Sequence, residues 1–381
     1  ITFEELNTSE LPARETPFAV TVSTPTADDS LTGNLTVLAP GRAELANLSI
    51  AEQGAEAEIV EGTDANVSVG VSNVGDIADN FTVTAEVEIG NETLTQSINT
   101  TNLSAGTTER ITFEELNTSE LPARETPFAV TVSTPTADDS LTGNLTVLAP
   151  GRAELANLSI AGEGAEAEIV EGTDANVSVN VTNVGDTADN FTVSLDIDSA
   201  SASASGEGVT RSQDVSDPLD PDATRQVTFN DVTRNLSDGN FDVTVSAGND
   251  SLTGSLTVLD PAQADLTDLS IDGEGVDAEI VEGTDATVSV DVTNTGDVTD
   301  NFTVTAEVET VNDTLTQELT TNTLQVDRTE QLIFNELNTS TLDTRGEPFT
   351  ITVSTADDLL TGTLSVKRSI NIRPVNRDVV R

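Results

Sequence analysis

The sequence predicts an all-β protein built from tandem antiparallel β-sandwiches, and two observations support this fold class. Apolar and polar residues alternate with a period of two in short, bounded runs, which is typical of half-buried strands. The runs recur along the 381-residue chain with a period of roughly 110 residues, and turns rich in Gly, Asn and Asp separate them. Seven or eight short strands in a unit of that size favour a sandwich.

The repeat is visible as direct sequence identity. Residues 1–83 align with residues 111–193, and only five positions differ. A more diverged copy follows, since EGTDANVSV at 171–179 returns as EGTDATVSV at 282–290. Pro40, Pro150 and Pro261 mark the boundaries. The predicted domains are the C-terminal half of a repeat at 1–40, three complete repeats at 41–150, 151–260 and 261–368, and a basic tail at 369–381.

The strands follow from the alternation in chain order. Each complete repeat begins with two short runs, which are 45–50 and 57–60 in the first copy. In the second copy Val177, Val179 and Val181 alternate with polar residues, and the alternation resumes at Phe191 after a turn-rich segment. The other runs of the first copy are 111–116, 128–132 and 141–148. No segment has helical periodicity.

The eleven Phe residues are the only aromatic side chains. They fall into three sets of equivalent positions, in phase with the Val and Ile of their strands: Phe81, Phe191 and Phe302; Phe3, Phe113, Phe229 and Phe334; Phe18, Phe128, Phe241 and Phe349. We therefore expect all of them in the core. This leaves no exposed aromatic surface for stacking on carbohydrate or for a protein-binding hot spot.

Composition excludes most enzyme classes. Cys, His, Met, Trp and Tyr are absent. Zinc and haem sites of the usual kind, Ser-His-Asp triads and cysteine proteases therefore have no residues to be built from. We predict that the chain is not an enzyme and has no catalytic, cofactor-binding or specific metal-binding residue.

The charge also restricts the partners. The chain has 67 acidic and 15 basic residues, a net charge of −52, which repels nucleic acid and anionic lipid. No apolar run approaches the roughly 20 residues of a membrane span. Because molar salt shortens the screening length to about 3 Å, we interpret the charge as adaptation to a hypersaline medium. The alternative is an acidic, cation-binding surface protein from an ordinary habitat, and cations loosely bound in acidic loops are expected.

The sequence V-x-V-x-V-x-N-x-G-D stands at 177–186 and again at 288–297. It resembles the CARDB-type immunoglobulin-like module of prokaryotic surface proteins, especially the tandem copies on secreted haloarchaeal proteins. The resemblance covers almost the whole chain. It implies tandem immunoglobulin-like β-sandwiches, an extracellular or cell-surface location, and a role as stalk, spacer or adhesive module without catalytic residues.

Asparagine occurs unusually often in the sequence N-x-Ser/Thr, the acceptor of N-linked glycans. The alternative is that Asn, Ser and Thr fill outward positions of polar strands and turns. We expect a subset of these sequons to be glycosylated. The candidates are Asn7, Asn34, Asn47, Asn66, Asn80, Asn91, Asn99, Asn102, Asn117, Asn144, Asn157, Asn176, Asn180, Asn190, Asn235, Asn249, Asn301, Asn312 and Asn338.

The two ends differ from the complete repeats. Residues 1–38 repeat residues 111–148, the second half of a unit. Two explanations stay open: the half repeat is a piece of a longer array, or another molecule completes it. The tail carries basic and apolar residues on an acidic chain, which favours head-to-tail assembly as one alternative. The assembly candidates are Arg368, Ile370, Ile372, Arg373, Arg377 and Arg381.

These observations predict a non-catalytic, extracellular structural repeat protein of a halophilic archaeon. It would serve as a surface scaffold or surface-layer component, a filament or sheath subunit, or the stalk of an adhesin. Self-association and other surface proteins are the expected partners. The alternatives are an ion- or partner-binding adhesion module, and a fibre or decoration protein of a halophile virus.

Overall fold

The computed structural model describes residues 2–3, 7–14, 16–26, 29–114, 116–124, 126–135, 139–200, 208–310, 313–335, 337–344 and 347–368. Over these residues the predicted all-β class is confirmed, since 26 strands account for the regular structure. The helical elements among them are two single 3₁₀ turns, Thr118–Glu120 and Thr339–Thr341. Neither is long and apolar enough to cross a membrane.

The strands are numbered along the chain. Residues 2–40 contain the hairpin of β1 (Phe18–Ser23) and β2 (Ser30–Leu35). The first complete repeat contains β3 (Ala43–Ile50), β4 (Glu56–Val60), β5 (Val67–Asn73), β6 (Thr82–Ile89), β7 (Glu92–Asn99), β8 (Thr108–Phe113), β9 (Phe128–Thr134) and β10 (Asp139–Leu148).

The later repeats have the same series of eight strands. The second contains β11 (Ala153–Ile160), β12 (Glu166–Val170), β13 (Val177–Asn183), β14 (Thr192–Ser199), β15 (Val209–Asp214), β16 (Thr224–Phe229), β17 (Gly239–Ala247) and β18 (Asp250–Leu259). The third contains β19 (Ala264–Ile271), β20 (Asp277–Val281), β21 (Val288–Asn294), β22 (Thr303–Glu309), β23 (Thr314–Thr320), β24 (Thr329–Phe334), β25 (Phe349–Ser354) and β26 (Leu359–Lys367).

Each complete repeat forms two sheets. In the first, three strands pair in the order β3-β5-β8 and five in the order β4-β10-β9-β6-β7. The second and third repeats reproduce these orders. Two sheets whose inner faces enclose a common apolar core make a β-sandwich of the immunoglobulin-like kind, as the sequence predicts.

One strand pair departs from the purely antiparallel arrangement that we predicted. β4 runs parallel to β10, with Glu56 opposite Asn144 and Val60 opposite Leu148. β12 and β18 pair in the same way, as do β20 and β26. The reason is that the chain leaves the three-stranded sheet after β3 and crosses to the opposite sheet. There β4 joins the edge of the sheet beside β10 and runs in the same direction as β10, so the two strands pair in parallel.

The core consists of the inward-facing residues of both sheets. Val67, Val69 and Val71 of β5 are fully buried. They face the opposite sheet, which contributes Val130 and Val132 of β9. Buried and less buried positions alternate along most of the core strands, as along β13 and β21, which is the pattern that the sequence predicts. The third repeat has an equivalent core around Val288, Val290 and Val292.

Nine of the eleven Phe side chains are buried, as expected. The prediction is wrong for Phe3, which is 66% exposed, and for Phe18, which is half-buried beneath the guanidinium of Arg14. In the first complete repeat their counterparts Phe113 and Phe128 are covered by strands of the repeat's first half. Residues 2–40 correspond only to a second half, so they lack those strands.

The described residues group into two compact units. One contains Ile1–Glu154, Thr182–Phe191 and Val215–Thr224, and the other contains Leu155–Val181, Thr192–Asp214 and Arg225–Arg381. Neither unit coincides with a set of whole repeats, and the predicted domain boundaries therefore stay predictions.

Candidate functional site

Short linkers join successive repeats, and specific hydrogen bonds and close backbone packing hold each of them in place. β10 ends at Leu148 and β11 begins at Ala153, so residues 149–152 form the second linker. The loop after β13 folds back onto this linker. Both segments lie in the first compact unit.

Asn183, the Asn of the sequence N-x-G-D, is the centre of this contact. Its side chain is fully buried. Oδ1 accepts hydrogen bonds from the backbone N–H of Arg152 at 3.1 Å and of Gly185 at 3.0 Å. Nδ2 donates to the carbonyls of Thr187 and Leu219, both at 2.8 Å. The amide therefore ties the linker to two loops, and its polar atoms are satisfied without water.

Asp186 holds the other end of the linker. Its Oδ2 accepts from the backbone N–H of Ala149 at 2.8 Å, and its own N–H donates to the carbonyl of Ala149 at 3.0 Å. A carboxylate that accepts a backbone N–H makes a stronger bond than a neutral acceptor. Ala149 and Asp186 are thus joined by a two-way hydrogen bond.

Gly185 is required by close approach. A Cβ on Gly185 would lie 2.1 Å from the carbonyl oxygen of Pro150, far inside van der Waals contact. The linker therefore passes against bare backbone. The Asn, Gly and Asp of N-x-G-D each have a separate task, and we call the three residues together the linker clasp.

The clasp is present in every complete repeat. Asp76 Oδ2 accepts from Ala39 N at 2.8 Å, and Asp297 Oδ2 accepts from Asp260 N at 3.2 Å. The three clasps comprise Asn73, Gly75 and Asp76; Asn183, Gly185 and Asp186; and Asn294, Gly296 and Asp297. The three Asn side chains are fully buried, and added Cβ atoms at Gly75 and Gly296 would meet Pro40 and Pro261 at 2.1 and 2.0 Å.

The acidic loops that the structure describes contain no built metal site. No group of three or more Asp or Glu side chains within the described ranges is arranged to hold a metal ion. The Oδ1 of Asp189 accepts from Asn190 N at 2.7 Å. Asp217 and Asp222 have φ of 63° and 60°, a left-handed conformation that Asp tolerates better than most residues. Loose cation binding stays a prediction.

Two ion pairs occur in the part of the chain that the structure describes, Arg234–Asp174 and Lys367–Glu279. The Asp174 hydrogen bond, and then its charge, raise the pKa of Arg234 above its ordinary value. All four side chains are largely or partly exposed, and exposed pairs contribute little stability. The remaining acidic surface has no paired cation among these residues.

The predicted assembly residues lie mostly outside the described chain. Arg368 is described, and its Nε donates to Thr344 Oγ1 within the same repeat at 3.3 Å. Ile370, Ile372, Arg373, Arg377 and Arg381 lie outside the described residues. Assembly through the tail therefore stays a prediction.

The sequon asparagines are mostly accessible. Each described one is exposed except Asn180, which is half-buried, and Asn312 lies outside the described residues. Accessibility alone therefore does not indicate which of these sequons are glycosylated. Several have a structural task. Asn47 occupies the left-handed position of a β-bulge at φ 55°, and its counterpart Asn157 has the same left-handed conformation at φ 56°.

Sequence reasoning missed a buried Thr in each repeat. Thr118 Oγ1 accepts from Ala65 N at 2.5 Å, Thr233 Oγ1 from Ala175 N at 2.8 Å, and Thr339 Oγ1 from Ala286 N at 2.6 Å. These bonds connect residues more than fifty positions apart and close the same end of each sandwich. The available signal was a Thr one or two positions after an apolar residue, which is Leu116, Val232 or Leu337.

Comparison with known proteins shows that part of the chain matches a protein family. Residues 155–252 match the model of the CARDB family. No curated protein sequence matches the chain. Among solved structures, the I67–I69 fragment of the titin I-band is 10% identical with a TM-score of 0.27, and the match covers 85% of this chain and 99% of the fragment.

Two β-glucosidases also match. The enzyme from Erythrobacter marinus and the enzyme from Listeria innocua bound to isofagomine are each 20% identical over 28% of this chain, with TM-scores of 0.24 and 0.23. The matches span only 15% and 16% of those enzymes. Similarity at this level carries no argument about activity. Over residues 155–252 the family match confirms the resemblance stated from the N-x-G-D sequence, since this part of the chain matches a family of immunoglobulin-like modules.

Proposed function

We propose that the chain is a non-catalytic, extracellular structural array on the surface of a halophilic archaeon. It acts as a scaffold, a filament or sheath subunit, or the stalk of an adhesin, and its acidic surface carries N-linked glycans. The linker clasp is the observation that supports this role most directly. In each clasp three specialised residues hold a linker in one conformation. A set of independently acting domains would not need such contacts.

The clasp supports a mechanical role for a physical reason. An unclamped linker of a few residues samples many backbone conformations, and each ordered residue loses about 1–2 kcal/mol of conformational entropy. Two backbone bonds to Asn183 and Asp186, together with the close packing of Gly185, offset that loss. A load applied along the chain would therefore pass through a fixed linker rather than through a flexible hinge.

The experiment that tests this proposal is immunogold electron microscopy of intact cells in brine, with antibodies raised against residues 151–260. We expect gold on external filaments, sheaths or a surface layer. Label confined to the cytosol would overturn the proposal. Filaments with a repeat close to one chain length would support head-to-tail assembly, and isolated projections would support a stalk.

A binding role predicts a different outcome. Calorimetric titration with Ca²⁺ in concentrated NaCl would give a saturable site of defined stoichiometry if the loops bound a specific ion. We expect weak, non-saturating heats, because Asp186 and Asp189 already accept backbone hydrogen bonds.

A further inference from the structure

A four-residue sequence, Asp-Asn-Phe-Thr, occupies the same place in all three complete repeats, at 79–82, 189–192 and 300–303. The fold explains three of the four residues. Asp79 forms a two-way backbone bridge with Leu103, and its Oδ1 accepts from Asn80 N at 2.8 Å. Phe81 is buried in the core. Thr82 Oγ1 donates to Asn99 Oδ1 at 2.8 Å.

The Asn of this sequence has no comparable structural task. Asn80, Asn190 and Asn301 are exposed, and none has a positive φ. Among the described residues no group hydrogen-bonds to their side-chain amides, although their backbone N–H groups are bonded. Any small polar residue would satisfy the fold at these positions.

Some of the other sequons do have a structural task. Asn176 Oδ1 accepts from Asp231 N at 3.1 Å, and Asn117 has φ of 52°. At the left-handed bulge the third repeat has Asp268 with φ of 51°. Asp there keeps the backbone conformation but abolishes the sequon, which indicates that Asn47 and Asn157 serve the bulge.

The third repeat provides an internal comparison. It has lost the sequons at the positions of Asn47, Asn66 and Asn144, where Asp268, Thr287 and Thr363 now stand. It has kept three sequons, at Asn301, Asn312 and Asn338. Asn312 lies outside the described residues, and Asn338 Oδ1 accepts a hydrogen bond from Ser340 Oγ at 3.1 Å, so Asn301 is the one of the two described that has no structural task. A side chain that the fold does not need, retained where others have changed, calls for a chemical explanation, and N-x-Thr supplies one.

We infer that Asn80, Asn190 and Asn301 are the principal glycosylated sequons and that their glycans cover the linkers. This inference rests on the proposed extracellular location. A host glycosyltransferase would use a lipid-phosphate-linked glycan as donor. The bond from the anomeric carbon to the phosphate oxygen breaks, a bond to the amide Nδ2 forms, and the amide gives up one proton.

The position of these residues places the glycan beside the linker. A Cβ on Gly151 would lie 2.3 Å from the Cβ of Asp189, and one on Gly41 would lie 2.4 Å from the Cβ of Asp79. The modified Asn is the next residue in the chain. A glycan there would shield Arg42 and Arg152, the exposed trypsin sites of the first two linkers.

The test is glycopeptide mass spectrometry of the full chain recovered from the outside of its own cells, in wild-type form and with N80Q, N190Q and N301Q combined. We expect glycan on all three wild-type sequons as the most occupied positions, and its loss in the triple variant. Thr192→Ser should retain the glycan at Asn190, whereas Thr192→Val should lose it. N235Q, at an exposed sequon in a different loop, is the matched control.

A second readout measures the consequence. Limited trypsin digestion should cut the triple variant at Arg42 and Arg152 several-fold faster than the wild type or N235Q. Exported chain with these three sequons empty would overturn the inference and leave the proposed function standing. Chain found only inside the cells would overturn both.

Discussion

Asn183 shows how much one buried amide can do. It bonds two N–H groups and two carbonyls from three separate segments, and none of its surface is exposed. A buried polar group that loses its partner keeps the cost of desolvation. The residue is therefore costly to replace with an apolar side chain of any size.

Asn183→Ala should lower the stability of the second linker by about 3 kcal/mol, because several buried backbone groups lose their partner at once. Hydrogen–deuterium exchange of peptides covering 149–154 and 183–190 would measure this as faster opening. Asn180→Ala is the control, since residue 180 is half-buried on the same strand and Gly70 replaces it in the first repeat. Equal exchange in the two variants would contradict the role of the clasp.

Thr118→Val tests the buried hydroxyl that closes the first sandwich. The two side chains are similar in size, so the change removes the hydroxyl's two bonds: the one accepted from Ala65 N at 2.5 Å and the long one donated to the Ala65 carbonyl at 3.5 Å. Leaving that N–H buried and unpaired should cost about 1–3 kcal/mol, visible as a lower urea midpoint in constant high NaCl. Thr118→Ser keeps the hydroxyl and should recover most of the loss. If Thr118→Val left the urea midpoint unchanged, the prediction would be wrong, and water would be replacing the lost bonds.

At the scale of elements, the linker and the loop after β13 are one structural unit. Gly185→Ala should displace Pro150, because an added Cβ would lie 2.1 Å from its carbonyl oxygen. Overpacking of this kind costs about 1–3 kcal/mol. Exchange of the Ala149 and Arg152 amides would report the displacement. Gly33→Ala, where no heavy atom lies within 4 Å of the added Cβ, should have no such effect.

The strands were predictable from sequence, and the linker contacts were not. Alternation of Val177, Val179 and Val181 identifies β13, because the period of two that marks a strand is contained in consecutive residues of the sequence. The bond from Arg152 N to Asn183 Oδ1 joins residues 31 positions apart, and no local pattern encodes it. The parallel pairing of β4 with β10 was missed for the same reason. Phe3 was misjudged because its burial depends on strands that residues 2–40 do not contain.

At the scale of the whole molecule, the net charge of −52 must be reconciled with a folded chain. The core beneath the charge is ordinary, since the valines of β5, β13 and β21 are fully buried. The two ion pairs within the described chain are exposed and cannot offset repulsion among 67 carboxylates. Solvent ions must therefore do so, and their effect depends on concentration.

Stability should accordingly rise with NaCl, because the screening length falls from about 10 Å at 0.1 M to about 3 Å at 1 M. Far-UV circular dichroism of the full chain across a NaCl series should show a cooperative β-structure melt in molar salt and loss of the β signal near 0.1 M. Sucrose of equal osmolality is the control. It favours compact states without screening charge, so it should recover less of the β signal than NaCl. A cooperative melt retained at 0.1 M would refute the interpretation of the charge as adaptation to brine.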